Sequence, residues 1–332
     1  MVRLENVQLP AFGVEQAFPE MPLGVYQARM ASAVRRLSEA GLDCLVVYGD
    51  REHFANLAYL TGFDPRFEEA LLLMDAQGRK LLIVGNESLG YLPDPRLGHE
   101  VALFQEFSLL GQPRSTSRPL REILRDFGVG TGAQIGCVGW KCFDGPLVHG
   151  GQAACDLPSY MVDLLRSLAG SQGRVVNATG IFVRPVDGLR ILCEPEQIAQ
   201  FEYAAIRTSE GVRSVLSHLR VGARERDLEP LLDSAGLPLS CHRMVGFGEK
   251  ARRGLASPSD NRARLGDPFT IGFGVVGALT CRAGWHCPRA TGPSRAGPRL
   301  LHSTRGELLR CGGDLVRMRP PRSDRRRGVP GG

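Results

Sequence analysis

Lysine is nearly missing from this chain: of 41 Lys and Arg residues only Lys80, Lys141 and Lys250 are Lys, a bias consistent with a GC-rich coding sequence. Long apolar runs are missing as well. No stretch of about 18 uncharged apolar residues occurs, which excludes a membrane-spanning helix at this level. The start Met1-Val-Arg-Leu-Glu5 lacks the basic-then-apolar layout of a secretory leader, so a cytoplasmic location without a membrane partner is the expectation. The nine Cys include no CxxC pair and keep no regular spacing, which speaks against a zinc knuckle or a disulfide framework and for small buried thiols. There is no internal repeat.

What is present is unevenly spread. Residues 286–332 hold eleven Arg, no Lys and three acids, a charge of +8. With +6 overall, the rest of the chain carries −2. The basic character therefore belongs to the tail, and a function argued from overall basicity would rest on a segment unlike the body. At 332 residues the chain is long enough for two domains with real cores.

In the body, Tyr26, Met30, Val34 and Leu37 keep helical spacing up to Gly41, and the apolar run 44–48 follows as a buried strand. Runs 70–74 and 81–84 flank Asp75-Ala-Gln-Gly78 as in a hairpin. Residues 118–127 read as a helix ended by Gly128, 134–140 as a strand, and 159–168 as a helix with Met161, Leu164, Leu165 and Leu168 on one face. After breaks at Pro185 and Pro195, a long helix is expected to carry Ile198, Phe201, Ala205, Thr208, Val212, Val215 and Leu219 on one side, stopped by Gly222. Residues 266–280 hold two apolar runs separated by Gly, as in a tight hairpin.

Gly41-Leu-Asp-Cys-Leu-Val-Val-Tyr-Gly49, Asn56-Leu-Ala-Tyr-Leu-Thr-Gly-Phe63 and the strand 71–74 resemble the N-terminal domain of the creatinase and aminopeptidase P family. The helix 194–219 with Thr208-Ser-Glu-Gly211, the loop Val221-Gly-Ala-Arg-Glu225 and Gly266-Asp267 before an apolar strand resemble the start of that family's catalytic domain. The resemblance implies an α/β N-terminal domain over 1–190, an incomplete α+β pita-bread domain over 191–285, and a basic Arg/Gly/Pro-rich tail over 286–332, expected to be disordered or frameshifted.

In the family, two divalent metal ions held by two Asp, one His and two Glu activate a water, because two adjacent cations lower its pKa and stabilise developing charge. Carried over, the first Asp position falls on Gly272 and the second on Cys281. A substrate-binding His should fall near Leu255-Ala-Ser-Pro258, where none stands, and His242 lies too early. Beyond 285 the tail offers only His286, His302 and Glu307. No cofactor is therefore expected in this chain. Asp267, opening a strand after Gly, reads as a turn former, and Cys281 as a small thiol rather than a soft ligand or nucleophile. Asp50-Arg-Glu-His53 and Phe67-Glu-Glu69 hold charged groups close enough to pair as acid and base, but read as helix capping and a solvated face. Because relatives use this domain to shape a neighbouring subunit's pocket, Asp64, Arg66, Glu68 and Glu69 are the substrate-pocket candidates.

Arg, Gly and Pro make up 25 of the tail's 47 residues, and Ile, Phe, Tyr and Trp are absent from it, so it cannot bury a core. Arg319 and the arginines within 322–327 could meet phosphates, but no aromatic residue is there to stack on bases, and nucleic acid is not the expected partner. The abrupt change inside a family-like segment reads as a reading-frame slip near codons 284–290, with a natural disordered extension as the other reading. The functional expectation is a shortened Xaa-Pro aminopeptidase-like chain without metallopeptidase activity. Two alternatives stand beside it: a metal-independent hydrolase of a small amidino compound or peptide, and a non-catalytic binding or dimerisation module with a second copy as partner.

Overall fold

A computed structural model describes residues 4–7, 13, 17–143, 148–287, 308–311 and 314–318. The chain forms two compact units, one of residues 20–197 and one of residues 1–19 with 198–332. Strand β1 (Leu4–Val7) belongs to the latter, where it pairs with a strand near the chain's other end. The division expected near 190 places these first residues in the N-terminal domain; a sheet register some 300 residues apart carries no local signal.

The unit 20–197 opens with α1 (Leu23–Glu39), whose buried face is Arg29, Met30, Ala33 and Leu37; Gly41, at φ +64°, ends it. Val34 of the expected stripe is only half-buried and Ala33 takes its place. Next come β2 (Cys44–Gly49), α2 (Ala55–Thr61), β3 (Ala70–Asp75), β4 (Lys80–Val84) and β5 (Glu100–Leu103). Every residue of β2 and β3 is buried, as continuous apolar runs require when both sheet faces are covered. The hairpin between β3 and β4 turns where expected, with the Asp75 carboxylate accepting from the amides of Gln77 (3.0 Å) and Arg79 (2.9 Å). The unit continues with α3 (Leu120–Phe127), β6 (Gln134–Val138), α4 (Ser159–Ala169), β7 (Arg174–Asn177) and α5 (Gly180–Val183). Helix α3 begins two residues later than expected because Pro119 stands at its N-cap.

The sheet runs β5-β4-β3-β2-β6-β7. Neighbours β2 and β6, β6 and β7, and β4 and β5 are parallel, whereas β3 is antiparallel to both its neighbours. One core layer packs α3 and α4 on one face through Leu124, Phe127, Met161 and Leu165, and the other packs α1, α2 and α5 through Leu37, Leu60 and Phe182.

The second unit contains all but the first three residues of α6 (Pro195–His218), then α7 (Glu225–Leu228), β8 (Leu239–Phe247), α8 (Glu249–Arg252), β9 (Pro268–Val275) and β10 (Ala278–Cys287). Two further short strands lie in the tail, β11 (Leu308–Cys311) and β12 (Asp314–Met318), in the order β1-β12-β11-β10-β9-β8. Val212, Val215, Leu216 and Leu219 pack on Val245, Phe247, Phe269, Ile271 and Phe273. The first half of the predicted helical stripe is not part of this core, since Ile198 is 54% and Phe201 37% exposed. The β9–β10 hairpin turns at Val276-Gly277, Gly277 taking φ +106°. Strand β10 carries the chain past the expected break at 285, and His286 is buried with its amide donating to the Asp267 carbonyl (2.8 Å). Strands β11 and β12 fall within the expected tail 286–332; His302, Glu307, Arg319 and residues 322–327 lie outside the described residues.

Candidate functional site

In the sheet of the unit 20–197, β2 hands on to β3 at one side while β6 hands on to β7 at the other. The carboxyl ends of β2 and β6 thus meet at a topological switch point, where open α/β sheets place ligands. Asp50 follows β2; its Oδ1 accepts from the amides of Glu52 (2.8 Å) and His53 (2.7 Å) and lies 3.1 Å from His53 Nδ1. Burial pushes the Asp50 carboxyl up, but these donors together hold it below the usual carboxylate range. The His53 ring stacks on Trp140, centroids 4.2 Å apart, and the Lys141 ammonium lies 3.9 Å from the centre of the Trp140 ring. The turn after β6 is held by Asp156, which accepts from the amides of Trp140 (2.6 Å) and Lys141 (2.7 Å), and by Asn56, which donates to the Gly139 carbonyl (2.7 Å). Only Gly fits at 139, because a Cβ would lie 2.2 Å from Asp156 Oδ1.

Glu69, just before β3, joins this group. Tyr48 donates its hydroxyl to Glu69 Oε1 (2.6 Å) and Tyr160 to Oε2 (3.4 Å). Burial raises the Glu69 carboxyl above its ordinary value, against the lowering effect of the two tyrosines, and the nearby Asp50 charge adds to the rise. Burial and the Glu69 charge also raise both phenols. The group is a half-buried carboxyl holding its proton beyond the usual range between two phenols that keep theirs. It can hold a proton and bind hydrogen-bonding groups; nothing in it lowers a hydroxyl toward a nucleophile.

The other three pocket candidates lie elsewhere. Asp64 Oδ1 accepts from the Arg66 amide (2.7 Å), a local turn contact, and Arg66, at φ +60°, lays its guanidinium over Tyr91, 4.4 Å from the ring centre. Glu68 is 1% exposed and accepts from the amides of Glu87 (3.1 Å) and Ser88 (2.9 Å), a cap for the short turn Ser88–Gly90. Asp64, Arg66 and Glu68 surround Tyr91, while Glu69 binds Tyr48 and Tyr160.

In the other unit, Gly272 and Cys281 are direct cross-strand partners in the β9–β10 register. The two positions where the family resemblance puts its aspartates are thus side by side. Their surroundings do not suit metal ions. Gly272 has no donor, and a Cβ there would lie 2.8 Å from Met244 Cε and 3.3 Å from Leu255 Cδ2, so apolar side chains fill its space. Cys281 supplies one exposed thiol, and among the described residues no three His, Cys, Asp or Glu side chains gather into a group able to hold a metal ion. A cavity of about 390 Å³ lies beside Leu255, lined by Glu249, Lys250, Arg253, Gly254, Leu255 and Ala256. Asp267 acts as the turn former expected, its Oδ2 accepting from the Arg264 amide (3.0 Å), and His242 is exposed on β8.

The carboxylate that organises this unit is one the sequence reading passed over. Glu225, fully buried, accepts at Oε1 from the Phe247 amide (2.8 Å) and Asn261 Nδ2 (3.2 Å). At Oε2 it accepts from Lys250 Nζ (2.6 Å), the Ser259 amide (2.8 Å) and the Ser259 hydroxyl (2.7 Å). Burial works against its charge, but Lys250, Ser259 and the Phe247 amide together hold its pKa below the ordinary value. With every oxygen lone pair committed inside the unit, Glu225 is structural. The loop 221–225, quoted above for its resemblance, was the available signal.

No protein-family model matches the sequence, and no curated protein matches it. Solved structures do share the fold. The chain is similar to the dipeptidase PepE of Mycobacterium ulcerans, with a TM-score of 0.58 and 18% identity over 83% of this chain and 68% of that one. It is similar to the prolidase of Pyrococcus horikoshii, with a TM-score of 0.56 and 14% identity over 81% and 67%. It is also similar to the X-Pro aminopeptidase of Thermotoga maritima, with a TM-score of 0.55 and 16% identity over 80% and 66%. The chain therefore spans about two thirds of the length of these proteins. Among the described residues no helix is long and apolar enough to cross a membrane. At these identities the likeness carries the fold and not the chemistry: this is a mixed α/β chain with the fold of prolidases and X-Pro peptidases.

Proposed function

We propose that this chain is a degenerate relative of the creatinase and aminopeptidase P family that has kept the fold and lost two-metal peptide hydrolysis. The observation that carries this reading is the Gly272–Cys281 pair, which offers a single thiol where a two-metal site needs bridging carboxylates. The packing of Met244 and Leu255 around Gly272 supports it, because a carboxylate placed there would be desolvated against methyl groups. On this reading the remaining role is binding. The Asp50, Glu69, Tyr48 and Tyr160 group at the switch point favours it, since it presents fixed hydrogen-bonding groups without an activated nucleophile.

The test is metal loading with turnover. The purified full chain is incubated with Mn²⁺, Co²⁺ or Zn²⁺, desalted, assayed for bound metal by mass spectrometry, and offered Xaa-Pro dipeptides and tripeptides with and without chelator. The expected outcome is no stoichiometric metal and no chelator-sensitive cleavage. Two equivalents of metal with chelator-sensitive release of the N-terminal residue would overturn the reading. Turnover that survives chelator would move the protein to the metal-independent hydrolases.

A further inference from the structure

Three cysteines far apart in sequence meet on one face of the sheet of the unit 20–197. Cys44 on β2 and Cys137 on β6 are buried in the same core layer, and Cys155, from the loop before α4, packs against it. Cys137 is 1% exposed, whereas Cys155 is only half-buried, and all three are free thiols. The loop is fixed at this place by side chains on either side. Asn177, the register partner of Cys137 on β7, donates to the Ala154 carbonyl (3.1 Å), and Arg166 of α4 donates to the Ala153 carbonyl (2.9 Å). The Cys155 thiol donates to the Ala153 carbonyl (3.9 Å), and the Cys137 thiol is its neighbour in this layer. Among the described residues no three ligand side chains converge on a metal position, so a metal thiolate site is not the reading.

We infer that Cys155 and Cys137 form a peroxide-reactive pair that closes to a reversible disulfide, with the half-buried Cys155 attacked first and the buried Cys137 resolving it. The neighbouring Cys137 thiol and the Arg166 charge favour the Cys155 thiolate, while Cys137 keeps its proton. Burial pushes the Cys44 thiol up to about 12, which leaves it a bystander.

The chemistry balances with hydrogen peroxide as oxidant. The Cys155 sulfur attacks one peroxide oxygen, the O–O bond breaks, and the departing hydroxide takes a proton to become water, leaving a sulfenic acid on Cys155. Cys137 then gives up its proton and attacks the Cys155 sulfur; the S–O bond breaks and a second water leaves. Two thiols lose two electrons and one peroxide is reduced to two waters. The disulfide formed has an S–S bond of about 2.05 Å, reached by rotation about the two cysteine side chains.

The test treats the full chain with hydrogen peroxide, blocks remaining thiols, and maps peptides by mass spectrometry. The expected result is a loss of about 2 Da, the two thiol hydrogens, with a linked Cys137–Cys155 peptide that dithiothreitol reverses, and with exposed Cys193 and Cys281 still unlinked. Cys155→Ser should abolish the link, Cys44→Ser should keep it, and Cys137→Ser should leave a sulfenic acid on Cys155 that dimedone traps. No linked peptide in the wild type, or a link that survives Cys155→Ser by pairing Cys137 with Cys44, would overturn the inference. The wild-type map decides even where a buried-cysteine variant fails to fold.

Discussion

Replacing Glu225 by Gln tests whether one buried carboxylate holds the second unit together. The native oxygens accept five donations, two at Oε1 and three at Oε2. An amide has one oxygen, so whichever way it is turned its NH₂ faces either the Phe247 amide and Asn261, or Lys250 and Ser259. At least one buried backbone donor and one side-chain donor are left opposite another donor, at roughly 1–3 kcal/mol each. The ion pair with Lys250 is lost as well. Breaking a buried pair costs about 3–5 kcal/mol, a large share of a domain's usual stability of about 5–15 kcal/mol.

The assay is urea unfolding followed by tryptophan fluorescence. The chain has two Trp, Trp140 in one unit and Trp285 in the other, so Trp140→Phe leaves a reporter for the unit that contains Glu225. The midpoint should fall by about 1–2 M urea at a slope of about 2–3 kcal/mol/M. The pH dependence follows from the depressed carboxyl. Its contribution is full above the ordinary value of 4.5 and is lost as pH falls through the folded value below it. The gap between wild type and Glu225→Gln should therefore close in acid. A variant within about 1 kcal/mol of wild type at neutral pH, or a gap indifferent to acid, would refute the account.

Three further outcomes are expected. Gly272→Ala should cost about 1–3 kcal/mol by overpacking against Met244 and Leu255; Met244→Ala in the same chain should cancel part of that cost, which thermal unfolding of both single variants and the double variant reads as non-additivity. Glu69 is raised, so its folded form binds protons more tightly than the unfolded chain, and it lowers stability as pH climbs above the ordinary 4.5 through the folded value. Glu69→Gln should flatten that slope in melting temperatures measured across pH 4–7, and an unchanged slope would remove Glu69 from the account. Arg29, 4% exposed, donates to both carboxylate oxygens of Glu194 (3.0 and 2.6 Å) and to the Tyr59 carbonyl (3.0 Å). Glu194→Ala should cost about 3–5 kcal/mol by stranding the guanidinium, more than the double replacement with Arg29→Met, as read by denaturation followed at Trp140.

Elements built from local periodicity were legible early. The runs 44–48 and 70–74 became the fully buried β2 and β3, and the Gly-punctuated pieces 118–128 and 266–280 became α3 and the β9–β10 hairpin. Gly272 and Cys281, nine positions apart in sequence, are opposite each other only through the β9–β10 register. The pocket candidates at 64–69 show what tertiary contacts add to a short stretch of sequence. Adjacent residues Glu68 and Glu69 take different partners, the first the amides of residues 87 and 88, the second the hydroxyls of residues 48 and 160.

The sequence by itself determined the element types and the low-lysine acidic body with its separate basic tail, because composition, apolar spacing and side-chain identity are properties of the chain before it folds. Tertiary structure alone decided which groups share a site. Tyr160 reaches Glu69 across 91 positions, Cys155 meets Cys137 in the loop before α4, and Glu225 gathers donors from Phe247 to Asn261. These meetings depend on strand order and register, which the sheets set by burying apolar faces over long separations, and no short window of sequence records them.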